Sequence, residues 1–241
     1  MPLFFSQLQK ITGGQTIHLH ADKPVTTWVT DSRKAGTEEN ALFFAIRGER
    51  HNGHDHLKKL YDNRLRQFVI EEDIKTDTPD ANIIRVKSAV NALQDIAVDH
   101  RQQFSLPVIG ITGSNGKTII KEWLSQLLSR DFSIVKNPGS YNSQVGVPLS
   151  VWQIQSHHQL GIFEAGISKP GEMERLVRII QPTIGLFTNI VSAHVEGFAD
   201  IEEKIHEKLL VFSHVNVLIY CSDHARIHQA VKKSNIPALS W

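Results

Sequence analysis

The chain has one cysteine, Cys221, among 241 residues. No disulfide can form within it, and a lone thiol suits the reducing cytoplasm, which is the expected location. Net charge is nearly absent: 26 Lys and Arg against 25 Asp and Glu leave +1. With no excess of either sign, there is no electrostatic case for nucleic acid or an anionic membrane as partner. Long apolar runs are also missing. None approaches the roughly 20 residues that a membrane span needs, and the N-terminus lacks the basic start of a signal peptide. Internal repeats and low-complexity segments are absent as well. What remains, 41% apolar and 21% charged residues, is ordinary globular composition in a length that suits one large domain or two smaller ones. Cys221 follows Val217-Leu218-Ile219-Tyr220 and is expected to be a buried strand residue rather than a nucleophile.

The richest segment is 108–118. The apolar run Val108-Ile109-Gly110-Ile111-Thr112 reads as a buried parallel strand. Glycines 110, 113 and 116 follow one another at a spacing of three, and Lys117-Thr118 opens a helix-like stretch. Glycines let a backbone approach an anion with its N–H groups turned inward, and a helix start adds the positive end of a macrodipole. In such a cradle Gly113, Ser114, Asn115 and Gly116 would surround phosphates, Lys117 would reach the β- and γ-phosphates of ATP, and the Thr118 hydroxyl would ligate Mg²⁺. The generic pattern wants a fifth-preceding glycine where Ile111 stands, so this is a variant phosphate loop.

From about residue 105 the pattern is strand and helix in alternation. Strands are expected over 107–112, 133–135, 160–164, 184–188, 215–221 and 238–241, with helices over 117–129, 146–153, 171–180, 201–212 and 224–233. This order predicts a doubly wound, mostly parallel sheet. Residues 1–104 differ, with strands expected over 25–30, 41–46 and 67–70, helices over 57–63 and 90–104, and an acidic loop over 71–80. The expected architecture is α/β: a small N-terminal α/β domain over 1–104 and an ATP-binding domain over 105–241. The final run 238–241 reads either as a strand that a longer chain would continue or as a sheet edge. His51, His54 and His56, and the pair His157-His158, read as solvated loop residues rather than metal ligands.

Five segments, in order, resemble the Mur ligases. Gly110-Ile111-Thr112-Gly113-Ser114-Asn115-Gly116-Lys117-Thr118 is similar to that family's G-x-T-G-[ST]-x-G-K-T loop. Asp31-Ser32-Arg33 resembles the Asp-Ser-Arg of its UDP-binding domain. The run from Ala41 through Leu42-Phe43-Phe44-Ala45-Ile46-Arg47-Gly48-Glu49-Arg50, with His54-Asp55 after it, resembles "LFFALKGER…GHDF". Glu164-Ala165-Gly166-Ile167-Ser168-Lys169-Pro170-Gly171-Glu172 looks like "EMGxxxPGEI". Thr188-Asn189-Ile190-Val191-Ser192-Ala193-His194-Val195-Glu196-Gly197-Phe198 looks like "TNIxxAHLEGF". The last two favour the MurF type over the MurE type.

The resemblance implies a cytoplasmic ligase of peptidoglycan synthesis. Such an enzyme joins D-Ala-D-Ala to UDP-MurNAc-tripeptide through an acyl phosphate, with ATP and two Mg²⁺ ions. Sister ligases of the MurE kind, or a module that only binds the UDP-substrate and ATP, are the alternatives. Mur ligases have three domains, so the resemblance implies a UDP-binding domain and an incomplete ATPase domain here. The C-terminal domain would lie outside this chain, and some MurF-type members also continue into an alanine racemase. By resemblance, Glu164 and His194 join Thr118 as Mg²⁺ ligands, Glu164 at a strand end with oxygen donors of the kind Mg²⁺ prefers. Asn189 contacts adenine. A lysine fourteen residues after His194, Lys208, is carbamylated and helps hold the metals, with Lys204 as the competing candidate; Leu209-Leu210 departs from the family pattern there. In the first domain Ser32 and Arg33 contact the UDP group, and Arg47 and Gly48 lie near the diphosphate, where a planar guanidinium suits phosphate. The segment 137–143 resembles the loop that approaches the sugar-peptide, with Asn142 as the contact and Ser140, Tyr141 and Ser143 as departures.

Overall fold

The computed structural model describes residues 2–36, 40–49, 51–73, 77–191 and 197–241. The chain divides into two compact units, Met1–Ile96 and Ala97–Trp241. The division falls inside helix α3, Ala89–Arg101, a little before the boundary the sequence suggests at 104 and 105.

The first unit opens with β1 (Leu3–Phe4) and α1 (Leu8–Thr12), and β1 pairs antiparallel with β3 (Pro24–Val25). Its main sheet holds β2 (Gln15–His18), β4 (Thr27–Val29), β5 (Ala41–Phe44), β6 (Gln67–Ile70) and β7 (Asn82–Arg85). They lie in the order β2-β7-β6-β5-β4, all parallel except β2. The strands β5 and β6 are wholly buried four-residue runs, as parallel strands covered on both faces should be. Phe43, Phe68 and Ile70 pack with Leu57 and Leu60 of α2 (Leu57–Asp62), with Ala81 just before β7 and with Ile83 within it.

The second unit is a six-stranded parallel sheet. Its strands are β8 (Val108–Thr112), β9 (Ile134–Lys136), β10 (Leu160–Glu164), β11 (Ile184–Phe187), β12 (Val217–Tyr220) and β13 (Ala238–Ser240). The order is β13-β12-β11-β8-β10-β9. Helices α4 (Lys117–Leu128), α5 (Gly146–Val151), α6 (Glu172–Ile180), α7 (Ile201–Leu209) and α8 (Ala225–Lys233) fill the crossovers. The chain steps from β8 outward to β9, then back through β10 and across to β11. Right-handed crossovers therefore put α4 on one face and α5 to α8 on the other. Ile120, Leu124 and Leu128 of α4 pack on Ile109, Ile111, Leu160 and Ile162 of the sheet. Because β8 lies between β10 and β11, its carboxyl end is a topological switch point, where open α/β sheets bind ligands.

The α/β reading and the parallel, doubly wound second sheet hold. Two expectations at residue level do not. Cys221 follows β12 instead of lying within it and is partly exposed, because the strand ends at Tyr220. His54 is not a solvated loop residue: its side chain is only 7% exposed, on a single turn over Gly53–His56. No described helix is long and apolar enough to cross a membrane.

Candidate active site

At the end of β8, Thr112 is buried and donates its hydroxyl to the Ala165 carbonyl at 2.9 Å. The backbone then turns at Gly113 with φ of 143°. A Cβ there would collide with Thr188 Oγ1 and come within 2.9 Å of the Asn189 carbonyl, so only glycine fits. Gly116, at φ of 82°, is the N-cap of α4. Residues 188–191 fasten the loop between them. Ser114 N–H donates to the Asn189 carbonyl at 2.8 Å, and Asn115 N–H donates to Asn189 Oδ1 at 3.0 Å. Thr188 Oγ1 donates to the Asn115 carbonyl at 2.7 Å. The first amides of α4 have no acceptor within the helix and sit at the positive end of its dipole, which suits an anion.

Two lysines bond to this loop. Lys117 donates from Nζ to the carbonyls of Gly113 and Ser114, at 2.9 and 3.1 Å. Lys208, on α7, donates from Nζ to the same Gly113 carbonyl at 3.2 Å. With Lys204 they line a cavity of about 560 Å³ that Ser114, Asn115 and Asn142 also border. Burial, reinforced by the Lys117 and Lys204 ammonium groups, brings the Lys208 amine from its ordinary 10.5 down to about 7. Burial lowers Lys117 too, against the pull of the Glu164 carboxylate. Cations gathered out of water beside a glycine loop and a helix start suit a polyanion.

Glu164, at the end of β10, is fully buried. Its carboxylate accepts from Thr118 Oγ1 at 3.1 and 3.2 Å, from Lys121 Nζ at 3.0 Å and from Asn142 Nδ2 at 3.3 Å. Thr118 and Glu164, 46 residues apart, thus meet as the sequence expects. They offer hydroxyl and carboxylate oxygens, the donor chemistry a Mg²⁺ ion takes, so the residues present fit that ion. Asn142 turns its amide toward Glu164 while bordering the cavity. His194 lies outside the described residues.

Two more carboxylates, Glu172 and Glu207, hold the turn that leads into α6. Glu172 Oε2 accepts from the amides of Ser168 and Lys169, at 2.6 and 3.2 Å. Glu207, adjacent to Lys208 on α7, accepts at Oε1 from the amides of Gly171 and Met173, at 2.9 and 3.1 Å. A carboxylate from one helix therefore caps the positive end of another. Glu207→Ala would leave both amides without this acceptor and is expected to lower stability by about 1–3 kcal/mol. Glu207→Gln, which keeps an acceptor oxygen, is expected to lower it less. Chemical denaturation of the three proteins measures the order.

In the first unit, Ser32 and Arg33 follow β4, and Arg47 and Gly48 follow β5, so both pairs stand at the carboxyl edge of one sheet. Asp31 caps the turn by accepting from Arg33 N–H. The Arg33 guanidinium folds back on it, with Nε 2.9 Å from Oδ1 and Nη2 2.8 Å from Oδ2. These bonds lower the Asp31 carboxyl to about 2. Arg47 lies 3.8 Å from Glu72, and Gly48 N–H donates to the His51 carbonyl at 2.9 Å. His54, at the same edge, accepts from Glu71 N–H at Nε2, 2.9 Å. That places the ring proton on Nδ1, 2.8 Å from Asn52 Oδ1; burial lowers its pKa.

Lys121, Asn137 and Glu207 escaped the sequence reading. Each acts on a partner at least 16 residues away, and a lone Lys, Asn or Glu has no local pattern to mark it. Lys121 left one faint signal, a charge one turn after Lys117 on the helix side that carries Ile120 and Leu124.

Residues 111–241 match the Mur ligase middle domain. The UDP-N-acetylmuramoyl-tripeptide–D-alanyl-D-alanine ligase of Bacillus subtilis is 29% identical over 204 residues, 83% of this chain and 44% of the relative. MurF from Acinetobacter baumannii superposes with a TM-score of 0.87 at 27% identity, over all of this chain and 53% of that one. MurF from Thermotoga maritima, solved in complex with ADP, gives 0.78 at 28% identity, over 90% of this chain and 50% of that one. The chain thus spans about half the length of the relatives it resembles. With a middle-domain match over more than half of its residues, the chain belongs to the Mur ligase family.

Proposed function

We propose that this chain forms the UDP-substrate and ATP sites of a MurF-type ligase. That enzyme adds D-Ala-D-Ala to UDP-MurNAc-tripeptide and releases ADP and phosphate. The observation that carries the reading is the cavity that Lys117, Lys204 and Lys208 line with a glycine loop, beside the buried Glu164 and its partner Thr118. In the proposed reaction a substrate carboxylate attacks the γ-phosphate to give an acyl phosphate, which the amine of the dipeptide then displaces. Two anions must meet in the first step, so fixed positive charge at the γ-phosphate lowers the barrier. Lys117 would supply it by turning from the Gly113 and Ser114 carbonyls to the phosphate oxygens. The amides at the start of α4 would hold the β-phosphate, with Ser114, Asn115 and Gly116 around it and Asn189 near the adenine.

Thr118 and Glu164, together with His194, would hold Mg²⁺, which neutralises phosphate charge when bound. Lys208 would serve as its carbamate. An amine whose pKa is near 7 has a large neutral fraction at physiological pH, and only the neutral amine adds to CO₂; the adduct sheds a proton and becomes an anion. Ser32, Arg33, Arg47 and Gly48 would bind the UDP group, with Arg33 exchanging its Asp31 partner for phosphate, and Asn142 would meet the sugar-peptide.

Calorimetric titration of the chain with ATP and Mg²⁺, and separately with UDP-MurNAc-tripeptide, tests the reading. Binding of both is expected, and binding of neither overturns it. Lys117→Met should weaken ATP by about 100-fold or more, in line with losing a desolvated charge-assisted contact, and leave the UDP-substrate titration unchanged.

A further inference from the structure

Lys121 is among the most deeply buried charged side chains described, with no exposed surface, and the roles proposed above do not use it. Its three ammonium protons are all spent. Nζ donates to the Asn137 carbonyl at 2.8 Å, to the Gly139 carbonyl, and to Glu164 Oε1 at 3.0 Å. One ammonium thus joins helix α4, the end of β10 and the loop after β9. The loop answers from its own side: Asn137 Oδ1 accepts from Glu164 N–H at 2.6 Å, and Asn142 Nδ2 donates to Glu164 Oε2 at 3.3 Å.

A counter-ion for a buried carboxylate needs only to touch the carboxylate. Lys121 gives two of its three bonds to backbone carbonyls of residues 137–139 instead. We propose that Lys121 is a positioning residue that locks the 137–142 loop onto Glu164. It occupies one carboxylate oxygen, leaves the other beside Thr118 and Asn142, and makes the order of the substrate-facing loop depend on the metal-facing carboxylate. The tie between loop and carboxylate stands on the geometry alone. Its consequence for nucleotide binding rests on the function proposed above.

Hydrogen–deuterium exchange on the whole chain separates a lock from a counter-ion, with Lys121→Met and the doubly neutral Lys121→Met/Glu164→Gln compared with wild type. Replacing a buried pair by neutral groups of similar volume is generally tolerated, so the double variant keeps the measurement possible if the single one unfolds. The lock predicts that amides over 137–142 exchange about tenfold faster in the double variant, as expected for losing about one hydrogen bond's worth of stability. Exchange in β8 and α6 should stay as in wild type. Wild-type protection over 137–142 in the double variant would reduce Lys121 to a counter-ion, and global unfolding of that variant would equally overturn a local lock.

ATP titration adds a readout that packing alone does not move. Lys121→Met, which keeps the Glu164 carboxylate, should bind metal-free ATP as wild type does and lose the gain that Mg²⁺ confers. An undiminished Mg²⁺ gain would refute the coupling, whereas absence of any ATP binding by wild type would refute the nucleotide site and leave the loop result to decide the lock.

Discussion

Lys208→Met is expected to stabilise the chain at neutral pH while abolishing the ligation proposed for the longer enzyme. The Lys208 amine titrates near 10.5 in an unfolded chain and near 7 in the folded one. At about 1.4 kcal/mol per pH unit, that gap is worth on the order of 5 kcal/mol against folding. The unfolded state binds the extra proton between pH 7 and 10.5, so wild-type stability rises with pH across that window. Below about 7 the folded protein must hold a charged ammonium beside Lys117 and Lys204, and the whole penalty applies. Methionine removes it and gives up one hydrogen bond to Gly113, worth about 1 kcal/mol.

A net gain of about 3–4 kcal/mol, or a melting temperature roughly 6–16 °C higher, is expected at pH 7, and the gap should close as the pH approaches 10. Melts of both proteins at pH 6.5 and 9 decide it: a variant less stable than wild type at pH 6.5, or a gap that widens with pH, contradicts the burial argument. Carbamylation would answer the same repulsion by reversing the sign of the charge. Bicarbonate is therefore expected to stabilise wild type but not Lys208→Met, and it cannot restore ligation to the variant. Loss of the group is expected to lower ligation by about 1,000-fold or more, as for other fixed charges at a reacting centre.

That trade of stability for a reactive amine explains why part of the site could be read from the sequence and part could not. The phosphate loop is local: strand, glycines, lysine and helix start are consecutive, so residues 108–118 show it directly. The alternation of apolar strands and helices after residue 105 announced the parallel sheet for the same reason. Lys208 is expected only by counting from His194 along a family pattern; its neighbour Glu207, which fastens α7 to the start of α6, stands in no such pattern. The carboxylate of Glu164 was expected, but not that Lys121, 43 residues before it, would share its burial.

In the first unit, β2 and β7 carry little local strand signal. Gln15–His18 is a largely exposed edge strand with polar residues at both ends, and Asn82–Arg85 has only two apolar residues at its centre. Such strands are set by their sheet partners rather than by their own periodicity. The polar neighbours of His54 suggest solvent, whereas the turn over Gly53–His56 tucks its ring against the Glu71 amide.

Glu164→Gln separates the electrostatic role of that carboxylate from its proposed role as a ligand. The substitution keeps the volume and one acceptor oxygen, but it leaves the buried Lys121 with only the partly exposed Glu122, 3.5 Å away, as counter-charge. Breaking a buried pair in this way is expected to lower stability by about 3–5 kcal/mol. Adding Lys121→Met removes the stranded charge and should restore most of that loss. Function should not return with stability. A neutral amide is a poor partner for Mg²⁺, which takes carboxylate and other hard oxygen donors, so both the single and the double variant should bind ATP no better with Mg²⁺ than without. Unfolding curves and ATP titrations on the same three proteins give the two readouts. Recovery of the Mg²⁺ gain along with stability in the double variant would mean that Glu164 serves only to neutralise Lys121. Recovery of stability alone would leave the metal as the reason a charged pair, rather than an apolar one, sits at the end of β10.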